Sequence, residues 1–146
     1  MSLAVDVALE GVRISVARSR VAALAEEVLR REGVRNALLS IAFVSDRRIA
    51  ALNREHLGHA GPTDVISFGF APVKAGGAVV GDVYIAPAVA RRSAAEQGGT
   101  VREELMRLVV HGVLHVVGHD HPEDESRYDS PMWRRQERLL RTLGAA

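Results

Sequence analysis

Thr100-Val101-Arg102-Glu103-Glu104-Leu105-Met106-Arg107-Leu108-Val109-Val110-His111-Gly112-Val113-Leu114-His115-Val116-Val117-Gly118-His119-Asp120-His121 has the spacing of a helix that is apolar on most of its sides. Leu105, Leu108, Val109, Val113, Leu114, Val116 and Val117 cover too wide an arc for a surface helix, so the segment predicts the central buried helix of the fold. Thr100 followed by Glu103 is a capping box that sets its start. Four of the six histidines lie within residues 111–121. His111 and His115, spaced i,i+4, project from one face with Cβ atoms roughly 5–6 Å apart, so both imidazoles can reach one ion. Gly118 stands where a helix can end in the left-handed conformation, and the turn it allows would carry His121 back as a third ligand. His119, directly after the glycine, has less room to return and is assigned to the rim. Asp120 is a candidate to orient an imidazole by accepting its other N–H. The pattern predicts one divalent ion per chain, zinc by preference, with an open coordination position as in catalytic sites.

Outward from this helix, the chain alternates its periods. Leu3, Val5, Val7 and Leu9 alternate as an opening strand. From about Ser19, Val21, Leu24, Ala25, Val28 and Leu29 take helical spacing, with Gly33 just past the end. A second strand is predicted at 37–44, and a short helix capped by Ser45 or Asp46 follows. Residues 55–62 read as a loop, 63–70 and 78–86 as strands, and 71–77 as a hairpin connection. Pro87 opens a helix running to about Gln97, and Gly98-Gly99 breaks it before Thr100. After Gly118 an acidic, irregular stretch reaches Ser130, and a last amphipathic helix packs through Met132, Trp133, Leu139 and Leu140. The order predicts an α+β fold: a mixed four-stranded sheet packed by about five helices, with the metal site on the central buried helix and the turn after it.

The chain has 146 residues, the size of one domain, and no linker or repeat divides it, so 1–146 is read as a single domain. A hydrophobic fraction of 47% and a charged fraction of 25% are those of an ordinary globular protein. No apolar run is long enough to cross a bilayer and the first residues lack the pattern of a signal peptide, so no membrane association and a cytoplasmic location are expected. Cysteine is absent, which leaves imidazole and oxygen as the metal donors. The net charge of +1 argues against a broad basic field for non-specific nucleic-acid binding. Lys74 is the only lysine, a bias that suits phosphate recognition by guanidinium but is better explained by genome base composition.

The spacing of His111, His115, Gly118 and His121 matches the metzincin protease pattern, but Gly112 stands where that pattern has its catalytic glutamate, which disfavours a peptidase. The same residues resemble the signature His-Gly-x-Leu-His-Leu-x-Gly-Tyr-Asp-His of the YbeY family, bacterial metal-dependent endoribonucleases that mature ribosomal RNA. Val116 and His119 are the two departures. Leu52-Asn53-Arg54 with Pro62-Thr63-Asp64-Val65-Ile66-Ser67-Phe68, and Gly81-Asp82-Val83-Tyr84-Ile85, resemble two further blocks of the family in the same order. The resemblance implies zinc on His111, His115 and His121, action on single-stranded and ribosomal RNA, and work in ribosome quality control beside the small ribosomal subunit and its assembly factors. It also implies an arginine facing the metal where this chain has Leu57, for which Arg54, His56 and His59 are the replacements at hand.

The leading expectation is a zinc-dependent, single-strand-specific endoribonuclease in which a metal-activated water hydrolyses a phosphodiester. Its expected catalytic residues are His111, Arg54 and Asp120, with Asp64 as a second candidate for the general base and, equally, a residue that fixes its own loop. Asp82 reads as the start of a strand after Gly81. Arg91, Arg92, Arg102 and Arg107 could track an RNA backbone, whereas Arg134, Arg135, Arg138 and Arg141 read as a solvated helix face. The alternative is a ribosome-assembly factor that binds RNA and keeps a mainly structural zinc.

Overall fold

The computed structural model describes residues 2–70 and 77–143. The elements are β1 (Leu3–Leu9), α1 (Arg18–Arg31), β2 (Ala37–Phe43), α2 (Asp46–Leu52), β3 (Val65–Phe70), β4 (Val79–Ile85), α3 (Pro87–Gln97), α4 (Val101–Val116) and α5 (Pro131–Leu143). The sheet order is β1-β2-β4-β3, with β1, β2 and β4 parallel and β3 antiparallel to β4. The expected α+β class with a mixed four-stranded sheet and five helices is what the chain adopts. The antiparallel β3–β4 pair agrees with a hairpin, whose predicted connection lies, but for Gly77, outside the described residues. None of the described helices is long and apolar enough to cross a membrane.

Strand periodicity sorts the residues of β2 into two faces. Ala37, Leu39, Ile41 and Phe43 enter the main core beneath α1 and α4, while Leu38 on the opposite face is exposed. α2 covers one end of that second face, burying Ala42, Val44, Ile49, Leu52 and Ile66 in a smaller cluster. α4 is the most buried helix, as its sequence predicts: Leu105, Met106, Val109, Val110, Val113 and Leu114 are all at or below 1% exposure. Burying each such side chain contributes roughly 1.5–3 kcal/mol. Thr100 accepts from the Glu103 N–H at its start, and α3 and α5 pack on its outer sides.

Two expectations are corrected. Residues 55–62 are not wholly a loop, because the backbone continues from α2 through a π-helical turn at Asn53–Leu57 before Gly58, at φ +70°, ends it. The polar composition hid this turn, whose anchor is Asn53: only 6% exposed, it donates from Nδ2 to the Gly61 carbonyl at 3.0 Å. Asp82 lies in the middle of β4, paired with Ser40 and Phe68, rather than at its start.

Glycine brings α4 unusually close to the sheet. A Cβ on Gly112 would meet Val83 Cγ1 at 2.5 Å, and a Cβ on Gly81 would meet Val116 Cγ1 at 2.5 Å. The position where the protease pattern carries a glutamate is therefore a packing contact that admits no side chain. Gly112→Ala should lower stability by about 1–3 kcal/mol through overpacking, read as a reduced urea midpoint at unchanged slope.

Candidate metal centre

α4 delivers His111 and His115 to a cleft of about 1120 Å³. Its opposite wall is the chain from Pro62 to Ser67 leading into β3, and its rim is completed by residues between Asp120 and Gln136. The helix ends at Val116, and Gly118, at φ +112°, turns the chain so that His121 comes back over the helix end. One ring nitrogen of each of His111, His115 and His121 lies within 4.8 Å of the others, and ring centroids are 4.7–5.1 Å apart. Three donors at this separation could each reach one ion at about 2.0–2.1 Å.

Protonation and tautomer both suit a cation. Burial, reinforced by its two histidine neighbours, lowers His115 to about 4, and burial likewise lowers His111 despite its hydrogen bond to Gln136. At neutral pH both are uncharged bases. Behind them the hydrogen bonds converge on the Glu137 carboxylate. Arg107 donates to Glu137 at 3.0 and 3.1 Å, and the Glu137 carboxylate, which can only accept, takes a bond from Gln136 Nε2 at 3.0 Å. The Gln136 carbonyl oxygen is thereby turned to His111 Nδ1 at 2.7 Å, which must carry the proton and leave Nε2 as a free donor atom. His121 Nδ1 is held the same way by the Pro122 carbonyl at 2.7 Å, and His115 has a backbone hydrogen bond at His119. Donor chemistry, neutrality and orientation therefore fit a divalent ion such as zinc.

The other expected site residues fall in different places. His119 turns away from the three rings and bonds the Glu32 carboxylate, which also receives Arg135 at 2.8 Å. Asp120 lines the cleft, but its Oδ1 accepts from the His121 backbone N–H at 2.8 Å, and the imidazoles of His111 and His121 donate to the Gln136 and Pro122 carbonyls instead. Arg54 and His56 are exposed and outside the cleft lining, His56 resting edge-on against Phe68 at 5.2 Å, whereas Leu57 and His59 line it. Asp64 is in the wall, with its carboxyl raised by burial. Arg107 lines the cleft but is bound to Glu103, Glu104 and Glu137, while Arg92 pairs with Asp46 and Arg134 with Asp129. Gln136, 1% exposed, is the residue that the sequence conceals.

Gln136→Met should keep the core filled yet weaken zinc affinity about 10–100-fold in a competition titration, because the His111 ring loses its orienting partner. A second expectation concerns acid. Burial would raise the Glu137 carboxyl, but hydrogen bonds from Arg107 and Gln136 outweigh it and hold it below the ordinary glutamate range. A group depressed in the folded state adds stability above its unfolded pKa and loses it as pH falls through the folded value. Glu137→Gln should therefore be less stable than the parent at neutral pH, with the gap closing on acidification through the carboxylate range in parallel thermal melts.

A family model described as Endoribonuclease YbeY matches residues 7–144. An endoribonuclease YbeY of Pelotomaculum thermopropionicum is 40% identical over 147 residues, covering 97% of this chain and 90% of the relative. One from Carboxydothermus hydrogenoformans is 42% identical over 116 residues, covering 80% and 78%. The solution structure of TM1509 from Thermotoga maritima has a similar fold, with a TM-score of 0.60 at 24% identity over 95% of this chain and 88% of that one. The extent of these matches, over a chain that brings three histidines together in one cleft, places it in a family of nuclease hydrolases: this chain belongs to the endoribonuclease YbeY family.

Proposed function

We propose that the chain is a zinc-dependent endoribonuclease that hydrolyses single-stranded RNA during ribosomal RNA maturation and ribosome quality control. In this reading residues 1–146 act as one domain, in the cytoplasm, beside the small ribosomal subunit and its assembly factors. The observation that carries it is the convergence of three ring nitrogens, two of them on imidazoles kept neutral by burial, in a cleft open to a polymer. His111, His115 and His121 would hold the ion. Zinc so held supplies Lewis acidity toward a phosphoryl oxygen and acidifies water toward neutral pH.

The remaining steps belong to side chains. Gln136 and the Pro122 carbonyl keep the rings of His111 and His121 from rotating as substrate enters. Asp64, its carboxyl raised by burial, is suited to take and return a proton at the cleft wall. Asp120 sets the turn that carries His121, and its charge acts on His115. The stabilisation of phosphate charge expected of Arg54 falls to groups that line the cleft, because Arg54 stands outside it.

The reading as an assembly factor with a structural zinc draws support from the cleft's own charge. Five carboxylates line it, from Asp64, Glu103, Glu104, Asp120 and Glu123, against two arginines. One experiment separates the two. Zinc content, cleavage of a labelled single-stranded RNA and thermal unfolding are measured on the parent and on His111→Ala, His115→Ala and His121→Ala. Near-stoichiometric zinc with cleavage, both lost in the variants while a cooperative melt remains, is the expected result, with a fall in rate of at least about 100-fold. Zinc without cleavage in the parent would leave the assembly-factor reading, and a parent that binds no metal would remove both.

A further inference from the structure

Between the histidines and α5, residues Glu125–Asp129 form a 3-10 turn in the cleft wall. The turn is tied at both ends. Asp124 accepts from the Ser126 backbone N–H at 2.9 Å, and the Ser130 hydroxyl donates to the Arg127 carbonyl at 2.7 Å while accepting from the Trp133 N–H at 3.1 Å. On this fixed turn Tyr128 lines the cleft yet stays 48% exposed, an unusual state for an aromatic ring with a neighbour to pack on. Trp133 meets it at 4.9 Å between centroids with the planes near perpendicular, which sets the tilt of the ring without enclosing it. The Arg127 guanidinium lies 4.8 Å from the Tyr128 centroid and donates to its hydroxyl at 2.7 Å.

Arg127 also differs from the other arginine of the cleft. Arg107 is saturated by three glutamates, whereas Arg127 has no carboxylate within salt-bridge distance among the described residues. It lines the same cleft as His111 and Asp64. With Glu103 and Glu104 offset by Arg107, Asp64, Asp120 and Glu123 still leave the cleft without a broad basic wall, so a bound strand gains from attraction that does not depend on net charge. An exposed aromatic face meets that need, because every base can stack on it, and an unpaired cation beside it meets one phosphate.

We infer that Arg127 and Tyr128 form a nucleotide subsite next to the three histidines, Tyr128 stacking on a base of a single-stranded RNA and Arg127 taking an adjacent phosphate. The inference rests on the proposed RNA substrate and adds to it the residues that hold the strand. Stacking of one base accounts for about 1–3 kcal/mol, or roughly a 5- to 150-fold change in affinity.

The test is fluorescence anisotropy of a labelled single-stranded oligoribonucleotide with the zinc-loaded protein over a salt series, with cleavage followed on the same samples. Tyr128→Leu keeps apolar volume against Trp133 but removes the stacking plane, and is expected to weaken binding at least about 5-fold. Tyr128→Phe should stay within about 2-fold, since the plane is retained. Arg127→Gln should weaken binding and flatten the dependence of log affinity on log salt by about 0.7, the share of one single-strand phosphate, while Arg138→Gln, outside the cleft lining, should leave the slope alone. Zinc content and melting temperature serve as controls of folding. Parent-like binding by Tyr128→Leu and Arg127→Gln, with RNA still cleaved, overturns the subsite and leaves the nuclease reading intact. Weakened binding in both, with a parent that binds but does not cleave, supports the subsite and fails the nuclease reading instead.

Discussion

Close contact between α4 and the two strands beneath it fixes the geometry of the site. Val83 occupies the space a side chain on Gly112 would need, and Val116 does the same at Gly81, while a Cβ on Gly69 would come within 2.9 Å of the Val116 carbonyl oxygen. Gly112 and Val116 are four residues apart on one face of the helix, so the contacts recur after one turn. Two interlocked points of this kind set both the depth of the helix against the sheet and its rotation about its own axis. Rotation decides where His111 and His115 project. Depth decides how far they stand from the wall at 62–67, because that wall is the direct continuation of β3. A helix held by larger side chains would be lifted from the strand that supplies the opposite side of the cleft.

Positioning of the individual rings is a second layer built on the first. The path from Arg107 through Glu137 and Gln136 to His111 crosses from α4 to α5 and returns, so the docking of α5 is coupled to the orientation of one imidazole. Beyond the helix end, His119 is drawn to Glu32 just past α1, and Arg135 of α5 closes the same carboxylate from the other side. This clasp holds the chain on the near side of His121, and the Asp120 side chain holds the peptide that bears it. Exposed ion pairs are worth little, but Glu32 is largely buried and serves two partners from two elements. Its contribution is to fix where the turn leaves α4.

Local order explains what could be read from the chain and what could not. α1, α3 and α4 announce themselves because their apolar residues recur at helical spacing and their ends carry Gly33, Pro87, Gly98 and Thr100. The gathering of His111, His115 and His121 is equally local: i,i+4 spacing on a helix, then a glycine able to adopt φ +112°. His119, assigned to the rim for want of room to return, stands outside the three-histidine group. It sits inside the histidine cluster in sequence, while its partner Glu32 is 87 residues away. Gln136 reads as a polar position of an amphipathic helix and only the packing of α5 on α4 buries it. The π-helical turn at 53–57 was hidden by polar residues whose organising contact, from Asn53 to Gly61, closes a loop rather than extending a periodic pattern.

Charge gives the last constraint. The whole chain carries only +1, and the cleft is lined by more carboxylates than arginines. Burial lowers both His115 and His111, so these two imidazoles do not redress the balance at neutral pH. Glu103 and Glu104 are offset by Arg107, which leaves Asp64, Asp120 and Glu123 as the acidic groups around the three ring nitrogens. Such a lining supplies no broad basic field of its own for RNA. It favours instead a ligand drawn to compact neutral bases with acids nearby, as a divalent cation is, and a polymer held by short-range contacts to its bases.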